Sequence, residues 1–168
     1  MLYYGRALDH TILPALNDIA SEHSIPTQRT KENSQQMLDY VTTYPNAYIL
    51  YYASDVISNI DSDAAYLMAK KTRSRVAGYY HLSSNPKVTE CPRLNSAIHN
   101  ECKTLHNMVS SAVDAEAGEV FHNTQVAIPI RTFLEASNHP RQLTSIKTYN
   151  STAYGFVYDN IHQKRSKS

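Results

Sequence analysis

The chain has 168 residues, 42% hydrophobic and 18% charged, with a formal net charge of +1. That is enough apolar material for one folded domain and excludes compositional disorder, while so small a net charge points to no partner class. Four glycines and the absence of G-x-G-x-x-G, G-x-x-x-x-G-K-[ST] and G-x-S-x-G exclude a glycine-rich phosphate loop and a nucleophile-elbow hydrolase.

In chain order, Thr11 to His23 carries Ile12, Ala15, Leu16, Ile19 and Ala20 at helical spacing, with Pro14 tolerable only in the first turn. Ser24 to Asn33 reads as a polar linker. Lys31 to Tyr44 places Met37, Leu38, Val41 and Tyr44 on one face of a second amphipathic helix, ended by Pro45-Asn46. Ala47 to Ala53 (AYILYYA) is short, aromatic and aliphatic, and predicts a strand. Val56 to Met68 predicts a second strand with Ile57, Asn59, Asp61, Asp63, Ala65 and Leu67 on one face. Arg75 to Ser83 predicts a third strand and Leu94 to Leu105 a weaker fourth. Thirteen tyrosines against three phenylalanines and no tryptophan agree with a sheet-containing fold.

Ser110-Ser111 ahead of Asp114 and Glu116 is a helix start, since a serine oxygen caps free amides and acids suit the positive end. Gly118 weakens that helix, and Ile128 to Ala136 continues a helical pattern after Pro129. Leu143 to Tyr149 predicts a short strand, and Asn150 a cap for a helix holding Ala153, Phe156 and Val157. The order is α+β.

Asp61 and Asp63 fall in a strand, Glu116 in a helix, and the turn at Tyr149 follows a later strand. Two-metal hydrolysis of a phosphodiester needs clustered carboxylates from several elements around ions roughly 3.5–4 Å apart. D-x-D turns and acidic first turns also occur widely in ordinary folds, so these acids alone assign nothing.

Their order resembles the end of the reverse transcriptase and the ribonuclease H region of a copia-type retrotransposon polyprotein. Asp61-Ser62-Asp63-Ala64-Ala65 is similar to that family's D-[AS]-D-W-A, and Arg73 to Tyr80 (RSRVAGYY) to its R-[KS]-S-T-S-G-Y-V. Lys103-Thr104, Ser110-Ser111 and Asp114-Ala115-Glu116 resemble K-T-V-A-L-S-S-T-E-A-E. Thr148 to Ala153 resembles C-D-N-x-x-A, and Arg165 to Ser168 resembles R-T-K-H. Upstream, Gln36 to Tyr51 resembles the closing R-Y-L-K-G-T-P-x-x-G-L-x-Y of the reverse transcriptase. The similarity spans about residues 12–168. It departs in two places: Asp63 is followed by Ala64 rather than Trp, and about two extra residues separate Thr104 from the serine pair.

The resemblance implies a ribonuclease H-like mixed sheet flanked by helices, preceded by two amphipathic helices, with the last strand and helix missing. It divides the chain into a helical remnant over 1–46 and a truncated ribonuclease H-like domain over 47–168. It implies four acids holding two Mg²⁺ ions on an RNA–DNA hybrid. The first carries over to Asp61 and the second to Glu116; the third position is Tyr149, a neutral phenol at pH 7, and the fourth falls past Ser168. The expectation is therefore weak or absent metal binding and little catalysis, unless Asp63 or Asp114 is recruited.

Two basic runs, Lys70, Lys71, Arg73 and Arg75, and Lys164, Arg165 and Lys167, are the expected nucleic-acid contacts. The alternative expectation is a non-catalytic module that binds protein through an exposed sheet edge or the amino-terminal helices. Cys91 and Cys102 fit neither a disulfide scaffold nor a zinc ribbon, and His99-x-x-Cys102 lacks two further zinc ligands. No apolar run approaches a membrane span and MLYYGRALDH is not a signal peptide, so a cytoplasmic or nuclear, non-membrane protein is expected.

Overall fold

The computed structural model describes residues 1–69, 73–84, 94–105, 109–139 and 143–148. The elements are α1 (Leu2–Ala7), a 3₁₀ turn (His10–Ile12), α2 (Leu13–Ser21), α3 (Gln28–Thr43), β1 (Ile57–Ala69), β2 (Arg73–Ser83), β3 (Ala97–Thr104), α4 (Ala112–Ala136) and β4 (Ser145–Thr148). The fold is α+β: a four-stranded mixed sheet in the order β3-β2-β1-β4 with helices on both faces. β1 to β3 form an antiparallel meander, and β4 returns parallel to β1. A parallel return needs a crossover, which α4 supplies. This arrangement is compatible with a ribonuclease H-like sheet.

On one face Ile60, Tyr80 and Ala127 form the buried core, joined by Val126, Ile130 and Ile146. These residues come from β1, β2, β4 and the second half of α4. Ser111 caps α4 by accepting a hydrogen bond from the Asp114 amide (3.1 Å). Asn138 closes it in the left-handed conformation (φ 62°), with its own amide on Glu135 and that of His139 on Leu134. Pro129 does not split this segment, in keeping with the helical pattern that continues past it. It lies on the exposed side, where the carbonyl of Gln125, deprived of its donor, can be hydrated.

The other face carries the amino-terminal helices. Asp18 of α2 pairs with Arg75 of β2, Asn17 donates to Thr104 of β3 (3.4 Å), and His10 meets Tyr79 edge-on. α3 packs on α2. It starts earlier than its apolar pattern implies because Thr27 and Thr30 form a reciprocal capping box, and Thr30 also donates to Glu22. The helices before residue 46 are thus fastened to the sheet, in part through charge.

One predicted strand is corrected. Residues 47–53 form no strand. The Asn95 side chain takes the place of a neighbouring strand, accepting from Tyr52 N and donating to Tyr52 O, both at 2.9 Å, while Tyr51 Oη donates to Ala97 O. Neighbouring tyrosines remain exposed. The predicted Asn150 helix lies outside the described residues.

Gly78 is a close-packing site. A Cβ there would stand 2.7 Å from Asn123 Oδ1 and 2.8 Å from the Tyr80 ring, both fully buried and hydrogen-bonded to each other. Gly78→Ala should therefore cost about 2 kcal/mol by overpacking, read as a lower urea midpoint at unchanged m-value.

Candidate functional site

The most concentrated polar chemistry lies where α4 crosses β1 and β4. Glu116, Glu119 and Asn123 follow one another at i, i+3 and i+7, so a single stripe of α4 faces the sheet. Ser62 Oγ donates to Glu119 Oε1 (2.6 Å), and Asn123 Nδ2 donates to Ser62 Oγ (2.8 Å) and Ala77 O (3.2 Å). Tyr80 Oη donates to Asn123 Oδ1 (2.8 Å), and Thr148 Oγ1 to Glu116 Oε2 (3.3 Å).

Glu119 is 0% exposed. Burial, which disfavours its charged form, pushes its carboxyl up to about 8 against the hydrogen bond from Ser62; the negative charges of Glu116 and Asp63 and a hydrogen bond with Glu116 push the same way. Its Oε2 accepts from no donor. A proton on this atom satisfies it, and the Glu116 carboxyl is the acceptor beside it. Burial thus favours the protonated form of Glu119.

Asp61 does not join this group. Along β1 the side chains alternate, so Ile60 and Ser62 face α4 and Asp61 faces the amino-terminal helices. Asp61 lies between Tyr79 and Lys147 in the sheet, with Oδ2 3.2 Å from Nε2 of buried His81. Burial pulls the His81 pKa down despite the pull of Asp61, so the imidazole is neutral at pH 7. Asp61 and Glu116, the two acids that the resemblance pairs, therefore lie on opposite faces of the sheet.

The other sequence candidates fall into separate places. Tyr149, Lys70, Lys71, Lys164, Arg165 and Lys167 lie outside the described residues. Arg73 is exposed at the start of β2. Arg75, expected to meet nucleic acid, is instead tied to Asp18. Asp63 is exposed, and Asp114 is held at the start of α4 by Ser110 and Ser111, whose hydrogen bonds lower its pKa. His99 and Cys102 point to opposite faces of β3, because three residues along a strand reverse the side chain. His99 instead packs on Tyr80, and burial raises the Cys102 thiol. A second polar cluster forms at β3, where His122 Nε2 lies 2.5 Å and Lys103 Nζ 3.3 Å from Glu101 Oε2. Burial alone would raise Glu101, but these two partners hold it below the usual range.

The arrangement does not fit a Mg²⁺ pair. Among the described residues no three His, Cys, Asp or Glu side chains gather as a metal-holding group, and burial favours the neutral form of the Glu119 carboxyl. No family model, curated protein or solved structure matches the chain.

The motif reading missed Glu119, Ser62 and Asn123. Their signal was present as the 116, 119, 123, 127 spacing, polar for its first half. The burial of Glu119 has a pH signature. Its native pKa of about 8 exceeds the ordinary 4.5, so its stabilising contribution is full below 4.5 and lost as pH rises to about 8. His81 and His99, lowered from 6.5 chiefly by burial, act oppositely, with stability falling as pH drops below 6.5. Between pH 6.5 and 8 the Glu119 effect should dominate, with urea stability falling by about 1 kcal/mol per pH unit. Glu119→Gln, which retains the amide as a donor toward Glu116, should flatten that slope.

Proposed function

We propose that this chain is a ribonuclease H-like domain of retroelement type that binds nucleic acid without cutting it. The strand order supports the first half of this reading: a three-stranded meander, a crossover helix, and a fourth strand parallel to the first. This is the mixed sheet that the copia-type resemblance implies. The carboxyl geometry supports the second half. Stabilising both oxygens of a displaced phosphodiester needs acids converging on a pair of ions. Asp61 is turned toward His81 and Glu119 retains its proton, so neither offers an anionic oxygen beside Glu116.

The binding surface in this reading is the β1–β2 end of the sheet. Arg73 is exposed there, two positions after Lys71 in the sequence. Arg75 is excluded from it by Asp18. Phosphate contacts of this kind release counterions, so binding weakens as salt rises. A labelled RNA–DNA hybrid titrated at several salt concentrations should give a log–log slope of about −1 to −3 for one to three phosphate contacts. Arg73→Ala combined with Lys70→Ala and Lys71→Ala should flatten it. In the same samples with Mg²⁺ the hybrid should stay intact. Cleavage abolished by Asp61→Asn would refute the non-cutting reading, and a flat salt response in the parent chain would refute backbone contact.

A protein-binding role has one observation of its own. α4 exposes Phe121 (68%) and Ile128 (53%) on the side away from the sheet. Hybrid-independent association lost in Phe121→Ser would select this role.

A further inference from the structure

A second concave site lies apart from the carboxyl stripe, between the end of α3 and the segment that follows it. It is a cleft of about 530 Å³, within the range of small-ligand sites. Three tyrosines line it. Tyr40 and Tyr44 are one turn apart on α3 and its cap, with ring centroids 5.1 Å apart and planes inclined by 49°. Tyr48 joins them from the irregular segment, and Tyr44 and Tyr48 are 61% and 76% exposed. Aromatic surface of this extent is costly to leave in water unless something covers it.

The charge around these rings selects the class of ligand. Among the described residues lining the cleft there is one carboxylic acid, Asp9, one histidine, His10, and neither lysine nor arginine. Asp9 is largely buried, and Thr11 N (3.1 Å) and Thr11 Oγ1 (2.5 Å) both donate to its Oδ1. The carboxyl end of α3, which carries the negative pole of the helix, opens here, and no basic residue occupies its last turn. A nucleotide would bring a phosphate to this negative end with no cation to meet it. A cation gains from the helix pole, the acid and the negative faces of three tyrosines together.

The cleft is also held in shape. The chain beyond Tyr48 is fastened to the sheet by the two-point bond between Tyr52 and Asn95 and by the bond from Tyr51 to Ala97. Tyr40 Oη lies 3.3 Å from Thr11 Oγ1, joining the α3 wall to the Asp9 wall. Little ordering is then left for a ligand to impose.

We infer that this cleft binds a quaternary alkylammonium group, with Tyr40, Tyr44 and Tyr48 as an aromatic cage and Asp9 as its counter-charge. The group could belong to a free small molecule or to a trimethylated lysine in a peptide. The full chain should be titrated, by chemical-shift changes or tyrosine fluorescence, with tetramethylammonium, choline, a trimethyllysine peptide and its unmethylated form. 3,3-Dimethylbutan-1-ol, the neutral analogue of choline, and adenosine monophosphate serve as controls. The expected result is saturable binding of the quaternary ions, with the neutral alcohol weaker by about tenfold. Tyr48→Leu and Tyr44→Leu, both at exposed positions, should each reduce affinity at least threefold while leaving the urea midpoint unchanged. Tighter binding of the trimethyllysine peptide than of choline assigns a peptide ligand, and the reverse a free one. Equal binding of the alcohol, preference for the nucleotide, insensitivity to both tyrosine variants, or no binding of any quaternary ion would each overturn the inference.

Discussion

The chain of hydrogen bonds from Tyr80 through Asn123 and Ser62 to Glu119 determines where α4 lies, and much of the molecule follows from that. α4 is not held in place by an apolar stripe along its whole length. Only its second half, with Val126, Ala127 and Ile130, packs on Ile60, Tyr80 and Ile146. Its first half buries two glutamic acids and an asparagine, and Phe121 is left outside. Burying such groups unpaired would cost on the order of several kcal/mol. Each bond in the network therefore has a large penalty for being broken, and one register of helix against sheet satisfies them together. Gly78 belongs to the same constraint, because a side chain there would push Asn123 away from Ala77.

Once α4 covers this face, the fate of the two acids that the motifs single out is decided. The parallel return of β4 beside β1 brings Thr148 level with Ser62, and both face α4. Glu116 stands over that position. A strand alternates its side chains, so Asp61 and Lys147 fall on the reverse side with Tyr79 and His81. There the amino-terminal helices supply an ion pair of their own between Asp18 and Arg75. The same alternation thus separates one pair of acids and places a basic residue expected to meet phosphate in a structural role.

Much of the fold was legible in the sequence because its signals were local. The alternation of Val56 to Met68 and Arg75 to Ser83, and the serine at the head of α4, each depend on neighbouring residues alone. The strand expected at 47–53 was not legible as irregular, because Asn95, more than forty residues away, satisfies the Tyr52 backbone. The start of α3 was hidden by a polar stretch whose threonines cap one another, and α1 left no periodic signal. At the site, the type and position of Glu116 were legible, but its partner was not. Periodicity rules treat polar residues as outward-facing, and Glu119 and Asn123 lie on the buried stripe.

Bringing Asp61 to Glu116 would require more than a small adjustment. A side chain changes face only if its strand slips by one residue relative to both neighbours. Such a slip in β1 would turn Ile60 out of the core and withdraw Ser62 from Glu119 and Asn123. It would also expose the carboxyl of Asp61 to the apolar contacts of Ala127 and Ile130 instead of to solvent and Lys147. The antiparallel pairing to β2 over Ile57–Ala65 and the parallel pairing to β4 would have to move together. Replacing Ser62 by an acid would be the shorter route to three carboxyls on one face. Its oxygen already lies 2.6 Å from Glu119, so a third acid would be placed against a carboxyl that burial keeps protonated. The packing that stabilises this sheet is thus the same packing that opposes an anionic metal pocket on it.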